Sequence, residues 1–452
     1  MRLRKTIITI VATVILLAGW QLFAVIANQP ELIPSLPRLV RTLCEWLVSG
    51  SFYQSVGATI FRGILGMSIS FVCAIGMAGA FARFEWVYEL FRPLLAIMRS
   101  IPVISFILLA LIFLNPESIP LIIAFLTMFP LLTENLTRGI LDLRPGLSTM
   151  ARQFHIKRPN VLFQIIYPQL KPFLYSGLAS AAGFGWRAII MGEVLSQCAF
   201  GIGSEMKRAQ NFIAVPELLA WTIVAVFISF LFDKGISKVA DITPKISFAS
   251  EDKTIPNPTL SVLDTKNISY QYGIKCFSYS FQKGIIYGIS APSGKGKTTL
   301  LNLIGGILLP TEGEIYPTRH FGIATVFQQP QLLPHLTAEE NIMLPLSSFL
   351  SKEKARRIAQ KHLQEMEMEP FGNRYPKELS YGQQQRIAIA RALAYPSPLL
   401  LMDEPFKGLD EALSHCIIKR IREMQMKEER VILFTSHNPD EIRLLADEVI
   451  YL

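Results

Sequence analysis

Ser290-Ala291-Pro292-Ser293-Gly294-Lys295-Gly296-Lys297-Thr298-Thr299 is the stretch on which the fold of this chain turns. Ile285-Ile286-Tyr287-Gly288-Ile289 before it reads as a buried strand, and Leu300-Leu301-Asn302-Leu303-Ile304 after it as a buried helix. Strand, glycine-rich loop and helix, in that order, are the setting of a phosphate loop. Backbone N–H groups of such a loop converge on phosphate oxygens, and the helix N-terminus adds partial positive charge. Ser293, Gly294, Lys295, Gly296, Lys297, Thr298 and Thr299 are therefore the candidate phosphate ligands. Lys297 would bring a point charge to the outer phosphates, and the Thr298 hydroxyl would ligate Mg²⁺. Ala291 stands where the pattern has its first glycine. If that position needs a positive φ, alanine costs about 1 kcal/mol there. The plain alternative is a chance Gly-Lys-Thr turn.

Five elements follow the loop in order. Val326-Phe327-Gln328-Gln329-Pro330 ends a strand and carries a glutamine. Leu379-Ser380-Tyr381-Gly382-Gln383-Gln384-Gln385-Arg386 opens a helix. Leu399-Leu400-Leu401-Met402 is a buried strand ending in Asp403-Glu404-Pro405, with Gly408-Leu409-Asp410 close behind. Val431–Ser436 is a strand ending at His437. Phosphoryl transfer needs positioning and charge stabilisation more than covalent catalysis. Asp403 at a strand end can hold Mg²⁺, and Glu404 beside it can polarise the attacking water as a general base. Gln328 can sense the γ-phosphate and Mg²⁺, and His437 can hydrogen-bond the γ-phosphate. The plain readings are a capped strand end for Asp403 and surface roles for Gln328 and His437.

Composition separates the two halves of the 452 residues. The chain is 51% hydrophobic, with a mean hydropathy of +0.36. Long apolar runs lie before about Ile236; beyond it, apolar and charged residues alternate as in a soluble domain. The net charge of +9 lies largely beside apolar runs, which fits orientation in a membrane and not nucleic-acid binding. Cys44, Cys73, Cys198, Cys276 and Cys416 are scattered without a C-x-x-C, so neither a disulfide framework nor a zinc site is indicated.

Met1-Arg2-Leu3-Arg4-Lys5 is basic, and Ile7 to Ala27 is long enough to span about 30 Å of hydrocarbon. An uncleaved first span is favoured over a signal peptide, since more spans follow. Five more candidates lie near Ile60–Ala82, Leu94–Leu114, Ile119–Leu136, Phe173–Leu195 and Leu218–Phe232. Arg83, Arg92, Arg138, Arg144, Arg152, Lys157, Arg158, Lys171, Lys234, Lys238 and Lys245 then face the cytoplasm; Arg38, Arg41, Lys207 and Arg208 lie outside. An even number of spans also returns the chain to the side where ATP is. Ionisable residues within spans are functional candidates. For Glu134, Arg187 and Glu193, pairing with a neighbouring helix or snorkelling is the preferred reading. His155 reads as packing or surface.

The ordered set from the phosphate loop to His437 resembles the ABC-type ATPases over nearly all of Leu260–Leu452. The resemblance implies that Tyr272 stacks on adenine, with Tyr270 as the fallback. It implies that the Gln328 loop contacts the permease and that Asp410 links two sites across a dimer. Ser380, Gly382 and Gln383 would complete the nucleotide site of the opposite ATPase. Tyr381 departs from the family's glycine, which bears on hydrolysis rate more than on ATP binding. Leu452 follows closely on the last strand, with no regulatory extension expected.

The first half resembles the permeases of binding-protein-dependent ABC importers over most of Met1–Ile242. Ala151, Ile165 and Pro168 match that family's cytoplasmic loop; Thr149, Met150, His155 and Tyr167 do not. Ser100-Ile101-Pro102, Gly183-Phe184-Gly185-Trp186-Arg187, Glu193 and Gly201-Ile202-Gly203 look like the branch importing nitrate, sulfonates, taurine or thiamine-precursor pyrimidines.

The expected architecture is an all-α six-helix transmembrane domain over 1–242, with a coupling loop at about 139–172. A linker over 243–259 and an α/β P-loop NTPase domain of ABC type over 260–452 follow. The expected function is ATP-driven uptake of a small solute across the cytoplasmic membrane of a prokaryote. It would use ATP and Mg²⁺, an extracytoplasmic solute-binding protein and a second copy of the chain, with no nucleic acid. Two alternatives are an ABC exporter half and an ATPase-driven membrane signalling complex.

Overall fold

The computed structural model describes residues 2–240, 244–252, 260–271, 273–292, 294–317 and 322–452. The chain divides into two compact units: Met1–Leu143 with Gln169–Ile242, and Arg144–Pro168 with Thr243–Leu452.

The first unit is helical. Its elements are α1 (Arg2–Ala27), α2 (Leu36–Trp46), α3 (Gly50–Arg83), α4 (Glu85–Ser100), α5 (Val103–Phe113) and α6 (Ile119–Leu141). After α7 (Pro145–Gln153) and α8 (Arg158–Asn160), which belong to the other unit, come α9 (Tyr167–Ser196), α10 (Ile202–Asn211) and α11 (Val215–Ala240). Among the described residues four stretches are long and apolar enough to cross a membrane: Gly50–Arg83, Pro116–Leu141, Arg158–Ser196 and Val215–Lys238. α4 and α5 qualify only as a pair, bent by 96°. The sequence suggests one continuous span there. Pro102 breaks it, because it has no N–H to donate and holds Ile101 extended at φ −65°, ψ 126°. α3 lies close along α6: a Cβ on Gly66 would stand 2.8 Å from that of Ala124.

The second unit has two sheets. β1 (Val262–Tyr270), β2 (Ile274–Gln282) and, after β3 (Ile286–Ser290), β4 (Glu312–Tyr316) form an antiparallel sheet in the order β2-β1-β4. β5 (Ala324–Val326), β6 (Leu399–Asp403), β7 (Val431–Thr435) and β8 (Glu448–Tyr451) join β3 in a parallel sheet ordered β5-β6-β7-β3-β8. β6 and β7 are buried at every position, as their unbroken apolar runs require of parallel strands covered on both faces. The helices are α12 (Lys297–Gly305), α13 (Ala338–Leu346), α14 (Lys352–Glu365), α15 (Tyr381–Ala394), α16 (Glu411–Glu428) and α17 (Pro439–Leu445).

The segment Arg144–Pro168, read from sequence as a loop of the permease, is part of this second unit. Leu147, Met150, Ala151, Phe154, Ile156 and Ile165 are buried in its main core. The Phe154 ring meets Tyr395 edge-on at 5.2 Å, with the Arg391 guanidinium 5.5 Å from its centre. Gln153 donates to the Gly305 carbonyl at 2.7 Å, and its own carbonyl accepts from Ile323 N–H at 2.8 Å. Asn160 donates to Ser247 O at 2.8 Å and Ser347 Oγ at 2.7 Å.

Candidate nucleotide site

Ligands of parallel α/β sheets gather at the carboxyl ends of the strands. β6, β7 and β3 are adjacent there, with Asp403 opposite Thr435 and Ile289 opposite Thr435 in register. The phosphate loop, Asp403-Glu404 and His437 are thus brought together by topology alone. The loop, Glu404 and His437 border a cleft of about 490 Å³ lined by Tyr270, Gln271, Gly273, Gly294, Gly296, Lys297, Thr298, Thr299, Gln328, Glu404 and His437; Asp403 is not in that lining but is joined to it through Thr298.

Gly294 and Gly296 adopt φ +81° and +96°, a region that favours glycine, and Gly296 caps α12. Ala291 is not among the residues with positive φ, so the strain considered for it does not arise. Its carbonyl accepts from Lys297 Nζ at 2.6 Å, leaving the lysine folded back over the loop. Ser293 and Tyr272, two of the expected nucleotide ligands, lie outside the described residues. Tyr270 lines the cleft.

Asp403 is buried and accepts from Thr298 Oγ1 at 2.9 Å and Thr435 Oγ1 at 2.8 Å. Burial pushes its carboxyl up, against the pull of these two hydroxyls. Asp403 and the Thr298 hydroxyl, joined by their hydrogen bond, would offer hard oxygen donors of the kind that suits Mg²⁺, with Gln328 on the same cleft as Thr298. Glu404 sits at φ +48°, a strained conformation of the kind that clusters at functional sites. Its carboxylate lies 3.0 Å from His437 Nε2 and 3.4 Å from Lys407 Nζ. Partial burial pushes its acidity down, but the Gln328 amide hydrogen bond and the Lys407 and His437 charges outweigh that. The net result holds Glu404 below the ordinary glutamate range.

Ser380, Gly382 and Gln383 do not line this cleft. Ser380 caps α15 reciprocally with Gln383: its hydroxyl accepts from Gln383 N–H at 3.3 Å, and its N–H donates to Gln383 Oε1 at 2.9 Å. Sequence reading missed Thr435, which ties Asp403 to the Glu404 N–H (3.0 Å). The available signal was its place on the strand next to Asp403. It also missed Lys407, three residues beyond Glu404 across the turn that follows β6.

The other intramembrane candidates separate. Glu134 pairs with Arg99 and Arg138. Glu193 is fully buried and takes Thr59, Arg62 (2.7 Å) and the Gly203 N–H (2.9 Å). Arg187 borders a separate cleft of about 710 Å³ with Trp186, Thr222, Ser229 and Asp233.

Comparison with known proteins places residues 274–407 in the family "ABC transporter". Residues 66–234 match "Binding-protein-dependent transport system inner membrane component". The chain is 34% identical over 203 residues to the thiamine import ATP-binding protein ThiQ of Yersinia pseudotuberculosis, covering 42% of this chain and 86% of ThiQ. It is 37% identical over 185 residues to the glucose import ATP-binding protein GlcV of Saccharolobus solfataricus, covering 38% of this chain and about half (52%) of GlcV. Among solved structures, the dimeric ATP-binding cassette MJ0796 bound to ADP and Pi covers 42% of this chain and 94% of its own at 34% identity, TM-score 0.40.

Proposed function

The chain belongs to the ABC transporter family, and we propose that it is one half of an ATP-driven importer of a small solute, with permease and ATPase in one polypeptide. The observation that carries this is the pairing of a membrane-component segment at 66–234 with an ATPase segment at 274–407. The relatives ThiQ and GlcV bear names of import proteins, which favours uptake over export. Six spans over 1–242, with the ATPase at 260–452 on the cytoplasmic side of the inner membrane, is the topology we adopt. The branch importing nitrate, sulfonates, taurine or thiamine-precursor pyrimidines remains our proposal for the substrate group.

In this reading the N–H groups of Gly294 to Thr299 and the Lys297 ammonium bind the ATP phosphates, with Ser293 beside them and Tyr272 or Tyr270 against adenine. Mg²⁺ held by Thr298, Asp403 and Gln328 would screen the phosphate charge. Glu404 takes a proton from the attacking water, and His437 donates to the γ-phosphate. Ser380, Gly382 and Gln383 serve the site of a second copy. Arg144–Pro168 transmits closure of the ATPase pair to the spans, giving alternating access.

The test is vectorial. The full chain is reconstituted in vesicles with its ATPase outward, and a solute-binding protein encoded beside it is enclosed with its ligand. Stimulated ATP hydrolysis with solute emerging on the ATPase side supports uptake. Stimulation by solute on the ATPase side, needing no binding protein, sinks uptake in favour of an exporter.

A further inference from the structure

We propose that the cavity of about 710 Å³ in the first unit recognises a small zwitterion, with Arg187 taking its anionic group and Asp233 its ammonium. This rests on the importer reading and narrows its solute group. Hydrocarbon is a poor solvent for charge, so charged side chains within spans are paired or face a cavity. Glu134 pairs with Arg99 and Arg138, and Glu193 with Arg62. Arg187 stands inside the Arg158–Ser196 stretch and Asp233 inside Val215–Lys238. Neither has an ion-pair partner among the described residues, yet both line this one cavity, and both are exposed.

Trp186 brings the two charges to one cavity. Its Nε1 donates to the Ala225 carbonyl at 3.2 Å, and its ring stands 5.3 Å from that of Phe232. Arg187 follows Trp186 on α9, and Asp233 follows Phe232 on α11. Their head groups do not meet, which leaves the space between them to a solute charged at both ends. Ile190, Met191, Val226 and Phe230 line the cavity with Ser229, and such apolar walls strengthen the pull of fixed charges. Selection works by exclusion as much as by attraction. An anion that meets Arg187 also faces Asp233, and a cation that meets Asp233 also faces Arg187, so each is repelled by the like charge. A neutral solute leaves both charges unpaired. Of nitrate, sulfonates, taurine and thiamine-precursor pyrimidines, taurine carries both charges; nitrate and simple sulfonates carry one. Two contacts of this kind hold a solute weakly enough to let it pass on.

The full chain in a non-ionic detergent is titrated with taurine, ethanesulfonate and ethylamine, and binding is read by saturation-transfer NMR. The parent should prefer taurine to either singly charged probe by about tenfold or more, the worth of a hydrogen bond to a charged group. Arg187→Gln should leave taurine binding no better than ethylamine, and Asp233→Asn should leave it no better than ethanesulfonate. Arg187→Lys keeps the charge and should keep the preference. Elution profile and circular dichroism check that each variant is folded; if Arg187→Gln is not, Arg187→Lys and Asp233→Asn decide. Failure of taurine, β-alanine and glycine betaine to bind overturns the site. So does equal binding of taurine and ethanesulfonate to the parent, or a preference that survives the neutral variants. Displacement of taurine by phosphatidylethanolamine overturns it in favour of a lipid headgroup. The importer reading fails separately. In the vesicle assay, export without a binding protein sinks that reading whatever taurine does, whereas uptake of a singly charged solute, undiminished in both neutral variants, sinks only the site.

Discussion

Glu193 in the first unit and Asp403 in the second are both carboxylates closed off from solvent, at 0% and 8% exposure. Both accept from threonine: Thr59 at 2.9 Å on one side, Thr298 and Thr435 at 2.9 and 2.8 Å on the other. Only Glu193 also holds a guanidinium, Arg62, and a backbone N–H, Gly203. Arg62 reaches on to Glu117 at 2.6 Å and the Phe200 carbonyl at 2.8 Å. A carboxylate so saturated ties helices together and has nothing left to offer a ligand. A carboxylate positioned by hydroxyls alone is fixed in place yet not neutralised, and stays able to take a cation.

The difference should be widest in turnover. Glu404→Gln, one residue past Asp403, should lower steady-state ATP hydrolysis about 10²–10⁴-fold while leaving ATP binding intact. Glu193→Gln, equally conservative, should leave basal ATPase of the detergent-solubilised chain unaffected within about threefold. Equal losses would mean that the Glu193 cluster takes part in hydrolysis and would erase the distinction.

In stability the order reverses. Glu193→Ala leaves the Arg62 guanidinium short of a partner, a change worth about 3–5 kcal/mol when a buried pair is broken. A thermal unfolding scan should show a large downward shift in the first unit's transition. No shift would mean that water replaces the carboxylate at no cost.

The two acids also differed in how far the sequence announced them. Asp403 and Glu404 end an unbroken apolar strand, and the phosphate loop, Gln328 and His437 follow or precede them at strand ends in a fixed order. Local pattern therefore carried nearly all of the cleft. Glu193 showed only as a charge in an apolar run, since Thr59 and Arg62 lie 134 and 131 residues away and periodicity says nothing about such distances. The same holds for Phe154, whose partners Arg391 and Tyr395 belong to another element altogether. The choice between Tyr270 and Tyr272 was also beyond reach of local pattern, since both are tyrosines at the end of one run; Tyr270 closes β1, and Tyr272 lies outside the described residues. The bend at Pro102 is legible in principle, since a proline has no N–H to donate and biases the residue before it, Ile101, to an extended conformation.

Asp403→Asn should move stability the other way, by roughly 1 kcal/mol or less. Burial raises the Asp403 carboxyl in the folded chain. A raised group contributes its full stability below the unfolded pKa and loses it as pH climbs through the folded one. Asparagine has no such loss, so the nucleotide-free variant should match the parent in acid and unfold at a slightly higher temperature near neutrality. It should nonetheless hydrolyse ATP poorly, stability and activity trading against each other at a binding site. A variant less stable at every pH would show that the threonines need both carboxylate oxygens.

The smallest effect sits at the rim. Lys407 lies 3.4 Å from Glu404 but is 53% exposed, so solvent screens most of its charge. Its charge is one of the influences holding Glu404 below the ordinary glutamate range, after the Gln328 hydrogen bond. Lys407→Gln should therefore let the Glu404 carboxyl rise, and a base that must be ionised is then lost sooner as pH falls. The expected result is an acid limb of kcat displaced to higher pH, with activity on that limb lower by roughly twofold, as for an exposed pair worth under about 1 kcal/mol. Near neutral pH, where Glu404 is ionised in both chains, kcat should coincide. Raising ionic strength to about 1 M, where the Debye length is near 3 Å, should bring the two profiles together. A displacement that survives high salt would mean that Lys407 acts by shaping the turn after Glu404 and not by its charge, and would place it with Thr435 among the residues that fix the geometry of the acid pair.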